Sequence, residues 1–445
     1  MERSLFRDFS RYASLNILGM ISLSCYILAD TFFISQRLGA TGLAALNLSI
    51  PIYSVIHGVG LMIGIGGATR FSILQSQGLD KQADVVFSTA LHSGVRSGLM
   101  FLVIGLLGGG YLAERLGADE TTFVMTRTYL TTLLVFAPFF IANNVLLAFV
   151  RNDGSPKRAM IAMLTGSLSN IVLDWVFLYP LHMGMFGAVL ATSLAPIISI
   201  GVLMPHLVKK RASRGALLLR ERLSWRLLPD ICSLGLSSMI VEVSSAVVMI
   251  TFNLVILALE GNPGVAAYGI VANLGLVGVA VFTGLAQGIQ PLISRFHGVQ
   301  RHDLARRVGS YALAASLGMA SVMYSWVFVQ AYGIADVFNK GSVWGITDMA
   351  ARGLRIYFFG YFFLGINVVA TTYLSATEQT RGAFALSMAR GLIIIVPLVI
   401  VLSKIWLMTG VWLAFVVTEF TVTALAFVAG HKRGSFGVLF HKVNR

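Results

Sequence analysis

Asn170 and Asp174 stand four residues apart in NIVLDWVF (170–177), an otherwise apolar run. That spacing is about one helical turn, so the amide and the carboxylate share a helix face. An aspartate at the centre of a membrane span costs roughly 2.5–3.5 kcal/mol on insertion scales, and few purely structural roles offset that. A second carboxylate, Asp30, and a hydroxyl, Thr192, lie at similar depth in other apolar runs, with Ala188 one turn before Thr192. If those runs pack together, oxygens from Asp30, Asn170, Asp174 and Thr192 converge. Hard cations take several oxygen ligands. Na⁺ would find two carboxylates, an amide oxygen, a hydroxyl and a backbone carbonyl. A proton is the rival ion, because two carboxylates close together in low dielectric cannot both stay ionised and titrate as a unit. The residues alone leave both ions open.

The elements that must hold these oxygens are apolar helices. The chain has 445 residues, 56% hydrophobic and only 12% charged, against about 25% charged in soluble domains. Apolar runs of roughly 20 residues indicate a polytopic membrane protein of all-α class, since a bilayer core has no water to satisfy backbone groups. The runs do not alternate as barrel strands would. Twelve transmembrane helices are expected, near 14–35, 45–72, 85–112, 126–150, 158–180, 185–208, 228–258, 264–292, 305–334, 348–375, 381–403 and 407–430. With the N-terminus inside, 24 of the 33 Lys and Arg fall on the inner side and 7 on the outer side. That asymmetry places both termini in the cytoplasm and accounts for the net charge of +14 without nucleic acid. The first run is span-length and holds Asp30, which suits a retained helix rather than a cleaved signal. Cys25 and Cys232 read as small apolar side chains and give no disulfide framework.

The chain also matches itself at an offset of 223 residues. Between 139–191 and 362–414 the identities include Phe139/Phe362, Asn144/Asn367, Arg158/Arg381, Met185/Met408 and Gly187/Gly410. Each half holds six spans, an even number, so the halves share an orientation and their pseudo-two-fold axis runs along the membrane normal. The expected plan is an N-lobe over 1–207, a basic cytoplasmic linker over 208–226, a C-lobe over 227–430 and a cytoplasmic tail over 431–445. At the repeat offset Asp30 faces Asn253, Asn170 faces Ile393, Asp174 faces Pro397 and Thr192 faces Phe415. The ligand set exists in one half only; a structural role should survive in both halves, whereas an ion site need exist only once.

Three stretches, ADTFFISQRLGATGLAALNLSIPI (29–52), NIVLD (170–174) and GLAQGIQPLISRFHG (284–298), resemble the multidrug and toxic compound extrusion (MATE) family, the last especially its staphylococcal drug-exporter subgroup. The likeness covers nearly the whole chain. It implies two six-helix lobes in a V and drug efflux coupled to inward Na⁺ or H⁺. Carried over by position, the family's cation site falls on Asp30, Asn170, Asp174, the Ala188 carbonyl and Thr192. Asn144 matches a residue lining that pocket, and Tyr129 matches more weakly. Glu242, in SSMIVEVSSA (237–246), resembles a functional glutamate of the second lobe. Glu419 is a further midplane carboxylate, and either acid could attract a lipophilic cation or bind a proton. Two departures are evident: the span-10 stretch YFFGYFFLGINVVATTYLSA (357–376) lacks the acid some relatives carry, and span 1 has no proline.

A cation-coupled secondary antiporter for lipophilic, cationic drugs follows as the expected function, in the cell membrane and as a monomer, with no cofactor beyond the coupling ion. An exporter or flippase of lipid-linked or peptide precursors is the runner-up. It would favour a more basic cavity, whereas the spans hold few basic residues, Arg96 and Arg390 among them. An enzyme is not expected. No Gly-Lys dipeptide exists for a phosphate-binding loop, and no His-Glu dipeptide exists for a zinc protease helix. Pro291 is expected to stop or kink its helix.

Overall fold

The computed structural model describes residues 2–213, 223–338 and 345–433; the middle of the basic linker (214–222) and the tail 434–445 lie outside the described residues. All regular structure among them is helical. The helices are α1 (Glu2–Ser76), α2 (Asp80–Arg115), α3 (Phe123–Val135), α4 (Ala137–Asn152), α5 (Pro156–Leu178), α6 (Gly184–Ser213), α7 (Leu228–Gly298), α8 (His302–Phe338), α9 (Ile346–Tyr357), α10 (Tyr361–Ala376), α11 (Thr380–Met388) and α12 (Ile395–Arg433). Eight helical stretches are long and apolar enough to cross a membrane, or nine if α3 and α4, bent by 50° at their junction, count as one. That bend has a local cause: Pro138, in the first turn of α4, has no N–H to continue the ladder from α3.

The two longest helices are hairpins. Loops expected at 36–44 and 259–263 are absent. In each place one glycine in a non-helical conformation reverses the chain, Gly39 (φ 66°, ψ −156°) and Gly261 (φ 63°, ψ −153°). Only a residue without Cβ enters this region cheaply. Reversal is shown by contacts placed evenly about each glycine. Tyr26 meets Tyr53 across Gly39, and Phe252 stacks on Tyr268 across Gly261. The break in α12 is different, because Leu407 (φ 50°, ψ −134°) adopts the conformation that glycine holds elsewhere. Such strain costs about 1–3 kcal/mol. Leu407→Gly is therefore expected to stabilise the protein by about 1 kcal/mol, read as a higher thermal midpoint in detergent.

Left-handed residues recur along the chain in matching order. Gly39, Gly78, Gly154 and Gly184 are answered by Gly261, Gln300, Glu378 and Leu407, at separations of 222, 222, 224 and 223 residues. The turns thus keep the period of the internal duplication.

Residues 18–243 with 294–300 form one compact unit, and the other described residues form a second. Within the first unit α1 and α7 cross at backbone contact. A Cβ on Gly66 would overlap the Ile231 carbonyl, and one on Gly235 would overlap the Met62 carbonyl. Small residues at such crossings are the usual device of membrane helices. In the second unit Gly284 and Gly288 of the sequence motif do the same work against Ile17 and Tyr12 of α1. Pro291 does not end the helix; α7 continues to Gly298. Outward faces carry large apolar side chains such as Leu107, Val322 and Val329, the reverse of a soluble surface.

The turn into α3 is closed by Asp119, whose carboxylate accepts from the Thr121 and Thr122 hydroxyls and backbone N–H groups. Those bonds, led by the Thr121 hydroxyl, hold its carboxyl at about 2. The folded value lies below the unfolded one, so this turn is lost only as pH falls toward about 2.

Candidate cation site

On α5 the polar residues face inward and the apolar ones outward. Asn170 and Asp174 are 0% exposed, while Val172 is 59% exposed and Leu168 and Trp175 also point out. This inversion of a soluble helix is what four-residue spacing of polar groups on a lipid-facing helix gives. Two close approaches seat α5 on α6, Gly166 against Ala195 and Gly187 against Phe177. With its amide oriented to satisfy both neighbours, Asn170 donates through Nδ2 to Asp174 Oδ2 at 3.1 Å and accepts from the Thr192 backbone N–H at 3.1 Å. The Thr192 hydroxyl donates to the Ala188 carbonyl at 3.2 Å. Asn170, Asp174, Ala188 and Thr192 are thus one hydrogen-bonded cluster.

Asp30 comes to it from the first arm of the α1 hairpin. It is buried, and its charge acts on Asp174. One oxygen of each carboxylate, Asp30 Oδ1 and Asp174 Oδ1, is buried without a hydrogen-bond partner. Neither aspartate has a salt bridge among the described residues, so no arginine or lysine neutralises them. Two orphan carboxylate oxygens in a buried cluster are an arrangement that a small positive ion completes. Tyr129 on α3 belongs here too, reaching Thr192 and lying in the field of both aspartates.

The helices of the two acids are joined by a latch that the sequence did not reveal. Arg37 Nε donates to the Leu178 carbonyl at the end of α5 at 3.2 Å, and Arg37 Nη2 lies 2.6 Å from His182 Nδ1. A cation on the last carbonyls of a helix is favourable. Asp30 is about two turns before Arg37 and Asp174 about one turn before Leu178, so the latch ties together the two helical segments that bear the acids.

The other candidates have neighbours of their own. Asn144 packs against Gly60 and Gly64, in the second arm of α1. Glu242 on α7 is 29% exposed and faces His57 at 3.4 Å. Glu419 is buried and already engaged: Arg390 Nε donates to it at 2.6 Å and Asn367 Nδ2 at 2.7 Å. Thr423 donates to Asn367 Oδ1 at 3.0 Å, completing the network. Its charge is matched within the protein, unlike those of Asp30 and Asp174. Arg390 and Glu419 were each visible as charges in spans; their pairing was not. No group of three or more His, Cys, Asp or Glu residues that could hold a metal ion occurs among the described residues.

Known proteins share the family and the fold of this chain. The MatE family profile matches residues 16–176 and 237–402. The multidrug export protein MepA of Staphylococcus haemolyticus is 27% identical over 428 residues, covering 96% of this chain and 93% of its own. That of Staphylococcus aureus is 25% identical over 423 residues, covering 95% and 92%. Among solved structures, an outward-facing MATE family multidrug resistance transporter has a TM-score of 0.90 at 23% identity, covering 97% of this chain and 96% of its own. A Vibrio cholerae MATE transporter has a TM-score of 0.87 at 20% identity, covering 99% of each chain.

Proposed function

Because the chain belongs to the MatE family of multidrug transporters, we propose that it exports lipophilic organic cations in exchange for an inward-moving cation, bound at Asp30 and Asp174. One observation carries this reading: two buried carboxylates each keep an oxygen without a partner, in a helical bundle where an unmatched charge is costly. H⁺ is the favoured ion. Asn170, Thr192 and the Ala188 carbonyl already bond to one another or to Asp174, which leaves the Asp30 carboxylate and Asp174 Oδ1. These suffice for one shared proton, whereas Na⁺ needs several oxygens and would require that network to turn.

The transporter lies in the cell membrane with both termini in the cytoplasm, a reading the Lys and Arg asymmetry supports. Taken as span junctions, the breaks at Gly39, Gly261 and Leu407 give twelve crossings when α3–α4, α9–α10 and α11 with the part of α12 before Leu407 each count as one. It acts as a monomer by alternating access between two lobes of six crossings.

The test is ethidium transport in proteoliposomes under either a pH gradient or a Na⁺ gradient imposed alone. A pH gradient is expected to drive uphill movement and a Na⁺ gradient to leave it at the leak rate. Drive by Na⁺ alone would reassign the ion to Na⁺, and uphill movement with neither gradient would reject secondary coupling.

A further inference from the structure

His57, on the other arm of the α1 hairpin, and Glu242, on α7, form a second polar pair in the same compact unit. The His57 ring stacks on Tyr53 with centroids 5.7 Å apart and planes 10° off parallel. Tyr53 is itself fixed, by the Tyr26 hydroxyl at 3.3 Å and by Phe140 edge-on. The imidazole plane is therefore set by packing. Next to it, Gly58 lets α7 come close: a Cβ there would lie 3.4 Å from the Met239 carbonyl oxygen and 3.6 Å from Glu242 Cβ. The crossing brings His57 Nδ1 to 3.4 Å from Glu242 Oε1. The approach is within ion-pair reach but lacks hydrogen-bond alignment, and Nδ1 is buried without a hydrogen-bond partner.

Few charges surround the pair. From α7 it faces Glu242. From α1 it faces Tyr53 and, beyond it, Tyr26, which feels Asp30, Asp174 and Glu242. From α3, Tyr129 acts on Tyr53, and α4 contributes the uncharged Phe140. Among the described residues, no Lys or Arg makes a salt bridge with Glu242. Its half-buried carboxylate therefore has one internal source of positive charge, a proton on His57.

We propose that His57 and Glu242 are a pH-gated cargo site, at which a proton on His57 and a lipophilic organic cation compete for the Glu242 carboxylate. With His57 neutral, Glu242 is an uncompensated anion that a cation seated beside it would match. With His57 protonated, the match is already made and a second cation is repelled. Histidine changes charge in the physiological range, and linkage makes the exclusion reciprocal: binding a cation at Glu242 expels the His57 proton. This rests on the cationic cargo proposed above, but not on the aspartate pair. It places a local proton–cargo exchange on the drug itself, distinct from the site that takes up the driving ion.

Equilibrium binding of tetraphenylphosphonium to the purified protein in detergent tests it, by calorimetry in two buffers of different ionisation enthalpy. Wild type should lose about tenfold in affinity between about pH 7.5 and about pH 5.5, releasing about one proton per cation bound at the lower pH. His57→Gln and His57→Phe should bind with an affinity nearly independent of pH, the phenylalanine keeping the ring stack. Glu242→Gln should bind weakly at both values. A wild-type pH slope in either folded His57 variant would overturn the proposal, as would absence of binding to wild type. The Asp30→Asn/Asp174→Asn double variant separates the two readings. It should keep the pH slope of binding even if gradient-driven efflux fails, and loss of the slope there would assign the proton to the aspartates and reject the role of His57.

Discussion

Asp174→Asn and Asp30→Asn are each expected to lower gradient-driven ethidium efflux by about 10- to 100-fold, the usual span of a coupling free energy. Neither should impair insertion or folding. An asparagine at either position removes a carboxylate whose burial in a span costs roughly 2.5–3.5 kcal/mol, so the thermal midpoint in detergent should stay level or rise. That combination of lost transport and retained or improved stability is the signature of a group held for its chemistry rather than its packing. A destabilised protein would instead mean that the carboxylate is structural. The orphaned Asp30 Oδ1 and Asp174 Oδ1 favour the first outcome, because removing their charge breaks no ion pair.

The second large effect has the opposite character. Arg390→Leu should destabilise the protein by about 3–5 kcal/mol, because it leaves Glu419 buried and charged without its guanidinium. Asn367 would still donate to Glu419 at 2.7 Å, which offsets part of the loss. Arg390→Leu/Glu419→Gln should recover most of the stability, since replacing both partners removes the stranded charge. Thermal midpoints of the two single variants and the double variant in detergent form the cycle. Additive losses would mean that the 2.6 Å contact contributes no coupling. Arg390 sits on a π-helical turn, Ala389–Ile393, a local feature found most often at functional positions. Efflux by the refolded double variant would show whether the pair also serves transport.

Much of the aspartate cluster was legible in the sequence because a polar residue in a hydrocarbon-facing run stands out against its surroundings. Asp30, Asn170, Asp174 and Thr192 are such residues, and their loss from the second half at the repeat offset singled them out further. Tyr26, Tyr53 and His57 were not legible. Aromatic residues in a span look like filler until a neighbour is known, and no spacing rule predicts that positions 26 and 53 will meet. Their meeting depends on the reversal at Gly39, and QRLGATG (36–42) reads as a polar loop joining two spans. Arg37 was counted only as a charge outside the membrane, whereas its role depends on where α5 ends. The sequence around 284–298 signalled close packing through its glycines, but not the partner, the start of α1.

The reversal at Gly39 also limits how the first unit can move. A connection of several loop residues has slack, so the helices on either side can slide independently. A joint one residue long has almost none. Displacing the arm that bears Asp30 pulls directly on the arm that bears Tyr53 and His57, and the Tyr26–Tyr53 contact resists shear between them. The two arms of that hairpin are therefore held as one stiff pair, with Asp30 on one and His57 on the other.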